Sequence, residues 1–247
     1  MVRQCLGTAL LLVGTTAAAA QGRFPPDSLI NLQVLPEELT VQQVIGQMRN
    51  YTGALGVRCQ YCHVGEEGRD LATFDFVSDE KRTKLVAREM IRMVQLINGR
   101  LDSLPGREAN GLRVSCNTCH RGVTRPIPLS TLMADVARTA GADSAVRAYR
   151  GLHERYNNSG AYDFREGSLN SAALSLATSM HFAEALVLLD FNETLYPNSS
   201  GMSVFRGNIL LRRGDTTAAA SAFREAIRRD SSNAEARGRL RAIGREQ

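Results

Sequence analysis

Cys59-Gln60-Tyr61-Cys62-His63 and Cys116-Asn117-Thr118-Cys119-His120 are two copies of one pattern, Cys-x-x-Cys-His, and every other segment of the chain is read outward from them. The pattern is the attachment signature of c-type haem. Two thiols add to the two vinyl groups of the macrocycle, and the spacer sets their separation. The His lies one residue past the second Cys and a helical turn past the first, so it reaches the iron from the same side. Four of the five cysteines and two of the four histidines are used this way. The motifs predict two covalent c-type haems, one on Cys59 and Cys62 and one on Cys116 and Cys119, with His63 and His120 as proximal iron ligands.

Competing uses of paired cysteines fit less well. Zinc ribbons separate their pairs by about 15–20 residues, whereas 53 residues lie between Cys62 and Cys116. Zinc also has no need of a His directly after both pairs. A thioredoxin-like redox motif would need one pair in a βαβ setting, and no such pattern surrounds either copy.

Each copy is preceded by an amphipathic helix. After an irregular lead-in over residues 25–36, Val41, Val44, Ile45, Met48 and Leu55 recur at helical spacing. Glu37 and Glu38 suit a first turn after Pro36, and Gly53 and Gly56 mark the end. A second helix is expected from Ser78 or Asp79 to about Asn98, stopped by Gly99, with Val86, Met90, Met93, Val94 and Ile97 as its apolar stripe. A loop through Leu104-Pro105-Gly106 and Gly111 leads to Cys116. Helix with Met, glycine turn and Cys-x-x-Cys-His thus occur twice, as an internal repeat. A thioether suits a high-potential electron carrier, and spacing leaves Met48, Met90 and Met93 as candidates for the distal faces of the irons. The remaining histidines, His153 and His181, read as partly exposed helix residues. Asp79, Glu80, Glu66 and Glu67 read as solvated faces or helix-start charges.

Residues 124–128 form a Pro-containing linker, after which the composition turns to Ala-rich helices. A 34-residue self-similarity relates Leu169, Ala173, Leu176, Ala185, Leu189 and Pro197 to Ser203, Gly207, Leu210, Ala219, Phe223 and Ser231. This is the period of tetratricopeptide repeats. Leu129, Leu132, Met133, Val136, Ala145 and Tyr149 fit an earlier unit, set apart by about six extra residues near 157–162. Arg206 at a usually apolar position and Ser231 in place of Pro are the departures.

The N-terminus reads as a secretory signal: Arg3, an apolar run over residues 6–13 too short for a normal span, and small residues 17–20 before Gln21. Cys5 precedes the apolar run and would leave with it. Export agrees with haem attachment, which in bacteria takes place outside the cytoplasm. The formal charge is +5, and 28 of the 30 basic residues are Arg. These are scattered and lack aromatic interleaving, which favours acidic protein partners over nucleic acid. There is no Trp and few aromatics, so bound haem would supply apolar core.

Residues 31–126 resemble the cytochrome c subunit of photosynthetic reaction centres. The likeness is carried by Asn31-Leu32-Gln33-Val34-Leu35-Pro36, Leu55-Gly56-Val57-Arg58-Cys59, Cys62-His63-Val64-Gly65, Phe74-Asp75-Phe76-Val77-Ser78-Asp79, Ala87-Arg88-Glu89-Met90-Ile91-Arg92-Met93 and Cys119-His120-Arg121-Gly122. The resemblance implies that each iron takes its distal Met from the helix ahead of its own motif. That assigns Met48 to the first haem and Met90 to the second, and leaves Met93 as a packing neighbour. Typical members carry four haems; this chain has attachment sites for two.

The combined expectation is an all-α protein: signal peptide 1–20, dihaem cytochrome c domain 21–128 and tetratricopeptide-like helical repeats 129–247. It would be exported to the periplasm and act as a one-electron carrier rather than an enzyme. Its partners would be a redox donor and acceptor, such as a membrane-bound reaction centre or respiratory complex. Membrane contact would be peripheral or through an uncleaved signal. The alternatives are a non-photosynthetic periplasmic carrier docked by its repeats, and a dihaem peroxidase-type enzyme.

Overall fold

The computed structural model describes residues 23–108 and 111–244, so the expected signal and Cys5 lie outside the described residues. The described chain is all-α: it carries ten α-helices and two short 3-10 turns, and its only β pairing is an isolated bridge between Val64 and Asp75. Contacts divide the chain into two compact units, Met1–Cys116 and Asn117–Gln247. The division falls inside the second motif's own helix.

In the first unit, α1 spans Val41–Leu55 and α2 spans Arg82–Asp102. The start of α1 is set by a capping box: the Gln43 N–H donates to Thr40 Oγ1 at 3.3 Å, and the Thr40 N–H donates to Gln43 Oε1 at 2.8 Å. Glu37 and Glu38 therefore precede the helix instead of opening it. Its end is a Schellman turn, with Gly56 left-handed at φ 66° and the Val57 N–H reaching back to the Thr52 carbonyl at 3.0 Å.

The second helix starts and ends later than its sequence indicated. Residues 77–79 are occupied elsewhere, because the Val77 and Ser78 N–H groups donate to Asp75 and the Asp79 carboxylate faces α2 side chains. Gly99 does not stop the helix. Its neighbour Asn98 is buried and tethered, and the helix runs on to the Ser103 cap.

Burial on α2 is inverted. Its buried side chains are Lys84, Arg88 and Asn98, whereas Leu85, Val86, Met90, Met93, Leu96 and Ile97 are exposed. Val44 and Ala54 are the only fully buried apolar residues described in this unit. An amphipathic helix normally hides its apolar stripe; here the stripe is exposed.

The second unit is built of helix pairs. After α3, Cys116–His120, come α4 (Leu129–Ala140) with α5 (Ala142–Tyr156), and α6 (Glu166–Thr178) with α7 (Phe182–Leu195). They are followed by α8 (Ser200–Arg212) with α9 (Thr216–Arg229), and by α10 (Ala234–Ala242) against α9. Helices α6 and α8 begin 34 positions apart, as do α7 and α9. The core positions are the ones the periodicity selects: Leu169, Ala173, Leu176, Ala185 and Leu189 in one pair, Leu210, Ala219 and Phe223 in the next. Burying each large side chain contributes about 1.5–3 kcal/mol.

Small residues set how closely the helices approach. A Cβ on Gly207 would lie 2.4 Å from the Phe223 ring, so α8 and α9 need glycine there. Arg206 is explained by charge: it reaches Asp190 at 2.6 Å and Glu193 at 3.2 Å on α7. Asn192, fully buried on α7, donates to Asn170 Oδ1 at 2.9 Å and to the Glu166 carbonyl at 3.0 Å, tying α7 to α6. The extra residues after α5 form a loop in which Tyr162 packs edge-on to Tyr156, with ring centroids 5.6 Å apart.

Candidate functional site

The first motif is a single helical turn. Cys59–Tyr61 is a 3-10 turn, and the His63 N–H donates to the Cys59 carbonyl at 2.9 Å, so both thiols and the imidazole leave one short turn. The turn is held from outside by the start of α2: Lys81 Nζ donates to the Gln60 carbonyl and Thr83 Oγ1 to the Tyr61 carbonyl. Burial pushes the Cys62 thiol pKa up, opposed by the charges of Lys81 and Lys84.

His63 sits in an aromatic corner, its ring 5.0 Å from Phe76, which in turn packs against Phe74 and Phe24. Gly65 is required by this corner, since a Cβ there would lie 2.5 Å from the Phe74 ring. Burial, with the positive charges of Lys84 and Arg88, pushes the His63 pKa down to about 4 against the opposing backbone of Phe76. The imidazole is therefore neutral, the form that offers a lone pair to iron. Its buried Nδ1 makes no well-aligned hydrogen bond, although the Phe76 carbonyl lies beside the ring.

A charged network closes the corner. Lys84 Nζ donates to three successive carbonyls, Phe76 at 3.0 Å, Val77 at 2.9 Å and Ser78 at 2.8 Å, and lies 3.1 Å from Asp79. Arg88 pairs with Asp79 at 2.7 Å and donates to the Asn31 carbonyl at 3.2 Å. Asn31 Nδ2 in turn donates to Asp79 at 2.9 Å. The Arg88 guanidinium, then Lys84 and Asn31, hold the Asp79 carboxyl well below the usual carboxylate range. Asp79 is thus a network member and not the solvated helix-start charge its sequence position indicated. Glu66, by contrast, makes only an exposed pair with Arg69 at 3.3 Å.

In the second motif, α3 carries Cys116, Cys119 and His120 within five residues. His120 Nδ1 lies 2.8 Å from the Val123 carbonyl. A carbonyl only accepts, so Nδ1 carries the proton and Nε2 is left as the ligating nitrogen. Arg121 and Gly122 are left-handed at φ 50° and 90°, which turns the chain back so that Val123 can meet the ring. On the preceding side, Asn98 Nδ2 donates to the Val114 carbonyl at 2.9 Å and the Val114 N–H donates to Asn98 Oδ1 at 2.8 Å.

Met48 is half-buried on α1, and Met90 and Met93 are exposed on α2. His153 stacks with Tyr149 and meets Phe164 edge-on, and His181 lies 3.8 Å from Glu184. Among the described residues no three His, Cys, Asp or Glu side chains form a group that could hold a metal ion.

The residues present fit c-type haem. Each Cys pair shares a turn with its His, one imidazole is neutral by burial, and the other has its tautomer set by a carbonyl. The exposed apolar stripe of α2 and the sparse apolar core of its unit call for a large apolar group. The bracing residues Lys81, Thr83, Lys84, Arg88 and Asn98 were missed by motif reading. The available signal was that the chain's two lysines, Lys81 and Lys84, both lie on one turn ahead of the Met-bearing stripe. Among the described residues no helix is long and apolar enough to cross a membrane.

The profile of the photosynthetic reaction centre cytochrome C subunit family matches residues 7–164. Cytochrome c-554 of Chloroflexus aurantiacus is 37% identical over 99 residues, covering 36% of this chain and 22% of that protein. The photosynthetic reaction center cytochrome c subunit of Rubrivivax gelatinosus is 27% identical over 118 residues, 43% of this chain and 31% of the relative. The corresponding subunit of Roseobacter denitrificans is 47% identical over 64 residues, 26% of this chain and 16% of the relative. The chain therefore spans less than a third of each of these relatives.

Proposed function

The chain belongs to the photosynthetic reaction centre cytochrome C subunit family, and from that premise we propose that it is an exported dihaem c-type cytochrome that carries single electrons. The observation that carries the reading is the pairing of two Cys-x-x-Cys-His turns with a helix whose apolar stripe is exposed and whose charged side chains are buried. Haem iron supplies a reversible one-electron couple between ferric and ferrous states.

The chain's own residues attach and orient it. Cys59 and Cys62 would hold the first haem and Cys116 and Cys119 the second, with His63 and His120 as iron ligands. By the family resemblance Met48 and Met90 would complete the iron sites, and Met93 would be a packing neighbour. With a His and a Met on each iron, the haems would offer no open position to a substrate, which supports a carrier rather than an enzyme. The helix pairs of α4–α10, with their 34-residue spacing, are tetratricopeptide-like repeats that dock the cytochrome on an acidic protein partner. The partner proposed is a membrane-bound reaction centre, a reading supported by relatives named as reaction center subunits, or a respiratory complex if the two-haem form serves outside photosynthesis.

The test is expression with export and haem maturation, followed by intact mass and optical spectra. Two haem masses per chain and low-spin, methionine-ligated spectra are expected. A chain without covalent haem would overturn the reading. A high-spin ferric haem that reacts with peroxide would shift it to the peroxidase class.

A further inference from the structure

The two proximal histidines stand in different electrostatic settings. His120 donates from Nδ1 to the Val123 carbonyl at 2.8 Å, which pushes electron density onto the ligating nitrogen. At His63 the Phe76 carbonyl is the backbone acceptor beside the ring, but it is shared with Lys84 Nζ at 3.0 Å and makes no well-aligned bond to Nδ1; the ring is enclosed by Phe76 and by the segment that Lys84 gathers. Lys84 is buried, with a side chain 10% exposed, and Arg88 beside it is 7% exposed. Three cations, Lys81, Lys84 and Arg88, stand at the first motif against two carboxylates, Asp79 and Asp75, so one net positive charge remains there. Asp75 faces His63 while its carboxylate accepts the Val77 and Ser78 N–H groups, and its charge offsets one of the three cations. The nearest cation in sequence to His120 is Arg121, which is exposed and bonded to the Gly160 carbonyl, so solvent screens its charge.

Ferric haem carries one more positive charge than ferrous haem. Cations in a low-dielectric corner therefore disfavour the ferric state, whereas an electron-rich imidazole favours it. Resting on the dihaem reading above, we propose that Lys84 is a redox-tuning residue: with Arg88 it raises the reduction potential of the haem held by His63 above that of the haem held by His120. Electrons delivered to the chain then collect on the first haem, which is the site that passes them on last. Lys84 acts through the field at the first motif and touches no substrate; it is a positioning residue.

The experiment is an optical redox titration of the full-length, haem-loaded protein, followed in parallel by proton NMR of the two proximal imidazoles. In the unsubstituted protein the His63 signals must convert to the ferrous form first. Lys84→Gln should lower the upper midpoint by about a tenfold change in the reduction equilibrium, which is about 59 mV for a one-electron couple, and leave the lower one in place. Lys84→Arg, which keeps the charge, should restore it. The inference is overturned if His120 converts first, if the midpoints coincide, or if Lys84→Gln moves the lower midpoint, both equally or neither. Failure of Lys84→Arg to restore the upper midpoint also overturns it, since packing and not charge would then be responsible. Haem content by intact mass separates the two levels. A chain with no haem on Cys59 and Cys62 ends the dihaem reading, whereas two haems with the wrong order end only this inference.

Discussion

Asn98 and Val114 exchange two hydrogen bonds, from Asn98 Nδ2 to the Val114 carbonyl at 2.9 Å and from the Val114 N–H to Asn98 Oδ1 at 2.8 Å. A buried amide on α2 thereby completes the backbone pairing of a loop residue two positions ahead of Cys116. The entry of the chain into the second motif is set by a side chain far back in sequence.

Asn98→Ala removes both bonds and leaves a part-buried N–H and C=O unpaired, a loss of about 1–3 kcal/mol. The expected outcome is a lower denaturation midpoint and incomplete haem on Cys116 and Cys119 with full loading of Cys59 and Cys62. Peptide mass mapping measures both occupancies. Equal loss at the two motifs would mean that the bond stabilises the unit in general rather than the second turn.

Met48→Ala and Met90→Ala should each convert one haem to a high-spin or solvent-ligated form of lower potential, because the thioether that favours ferrous iron is gone. Met93→Ala should leave both spectra unchanged. Optical and magnetic spectra of the ferric proteins decide this. A Met93 variant that loses a ligand while Met90→Ala does not would reverse the assignment on α2.

The Asp79 carboxyl is held below its ordinary range, first by Arg88 and then by Lys84 and Asn31. A depressed folded-state pKa stabilises the protein above the unfolded value, about 3.9 for Asp, and that contribution fades as pH falls through the folded value. Asp79→Asn should melt below the parent at neutral pH, and the gap should narrow as the pH is lowered beneath about 4. Parallel thermal melts across that window provide the test; a gap constant with pH would show that the network does not depend on the ionised carboxylate.

Gly207→Val should destabilise the C-terminal unit, because a Cβ at that position meets the Phe223 ring at 2.4 Å and Phe223 is fully buried with no room to retreat. Overpacking of this kind costs about 1–3 kcal/mol. Urea denaturation followed by far-ultraviolet circular dichroism reads the loss. A variant as stable as the parent would mean that the α8–α9 approach is looser than drawn.

How much was legible beforehand differs between the two units. In the repeat region, apolar and small residues at 34-residue spacing identified Leu169, Ala173, Ala185, Leu189 and Phe223 as core, and all are buried, because a regular helix converts sequence period directly into a face. In the first unit the same rule located α1 and α2 but misjudged their ends. Pattern alone placed a helix start at Glu37, while the capping box of Thr40 and Gln43 begins it at Val41. The stripe of Val86, Met90, Met93 and Ile97 was found from its spacing, yet the side of α2 that is buried is the charged one.

The chain's order alone determined the local geometry of the two motifs: each Cys-x-x-Cys-His is a short turn, and a spacer of two residues puts thiols and imidazole on it whatever surrounds it. It also determined the helical class, since period 3.6 is written into neighbouring residues. Only the tertiary structure decided how the two turns differ. The Lys84 cradle of carbonyls, the Asp79 bridge to Arg88 and Asn31, and the Asn98 clamp join residues that spacing does not relate. The buried charges beside His63 and the carbonyl at His120 follow from chain folding, because fields and hydrogen bonds depend on distance in space and sequence motifs record only distance along the chain.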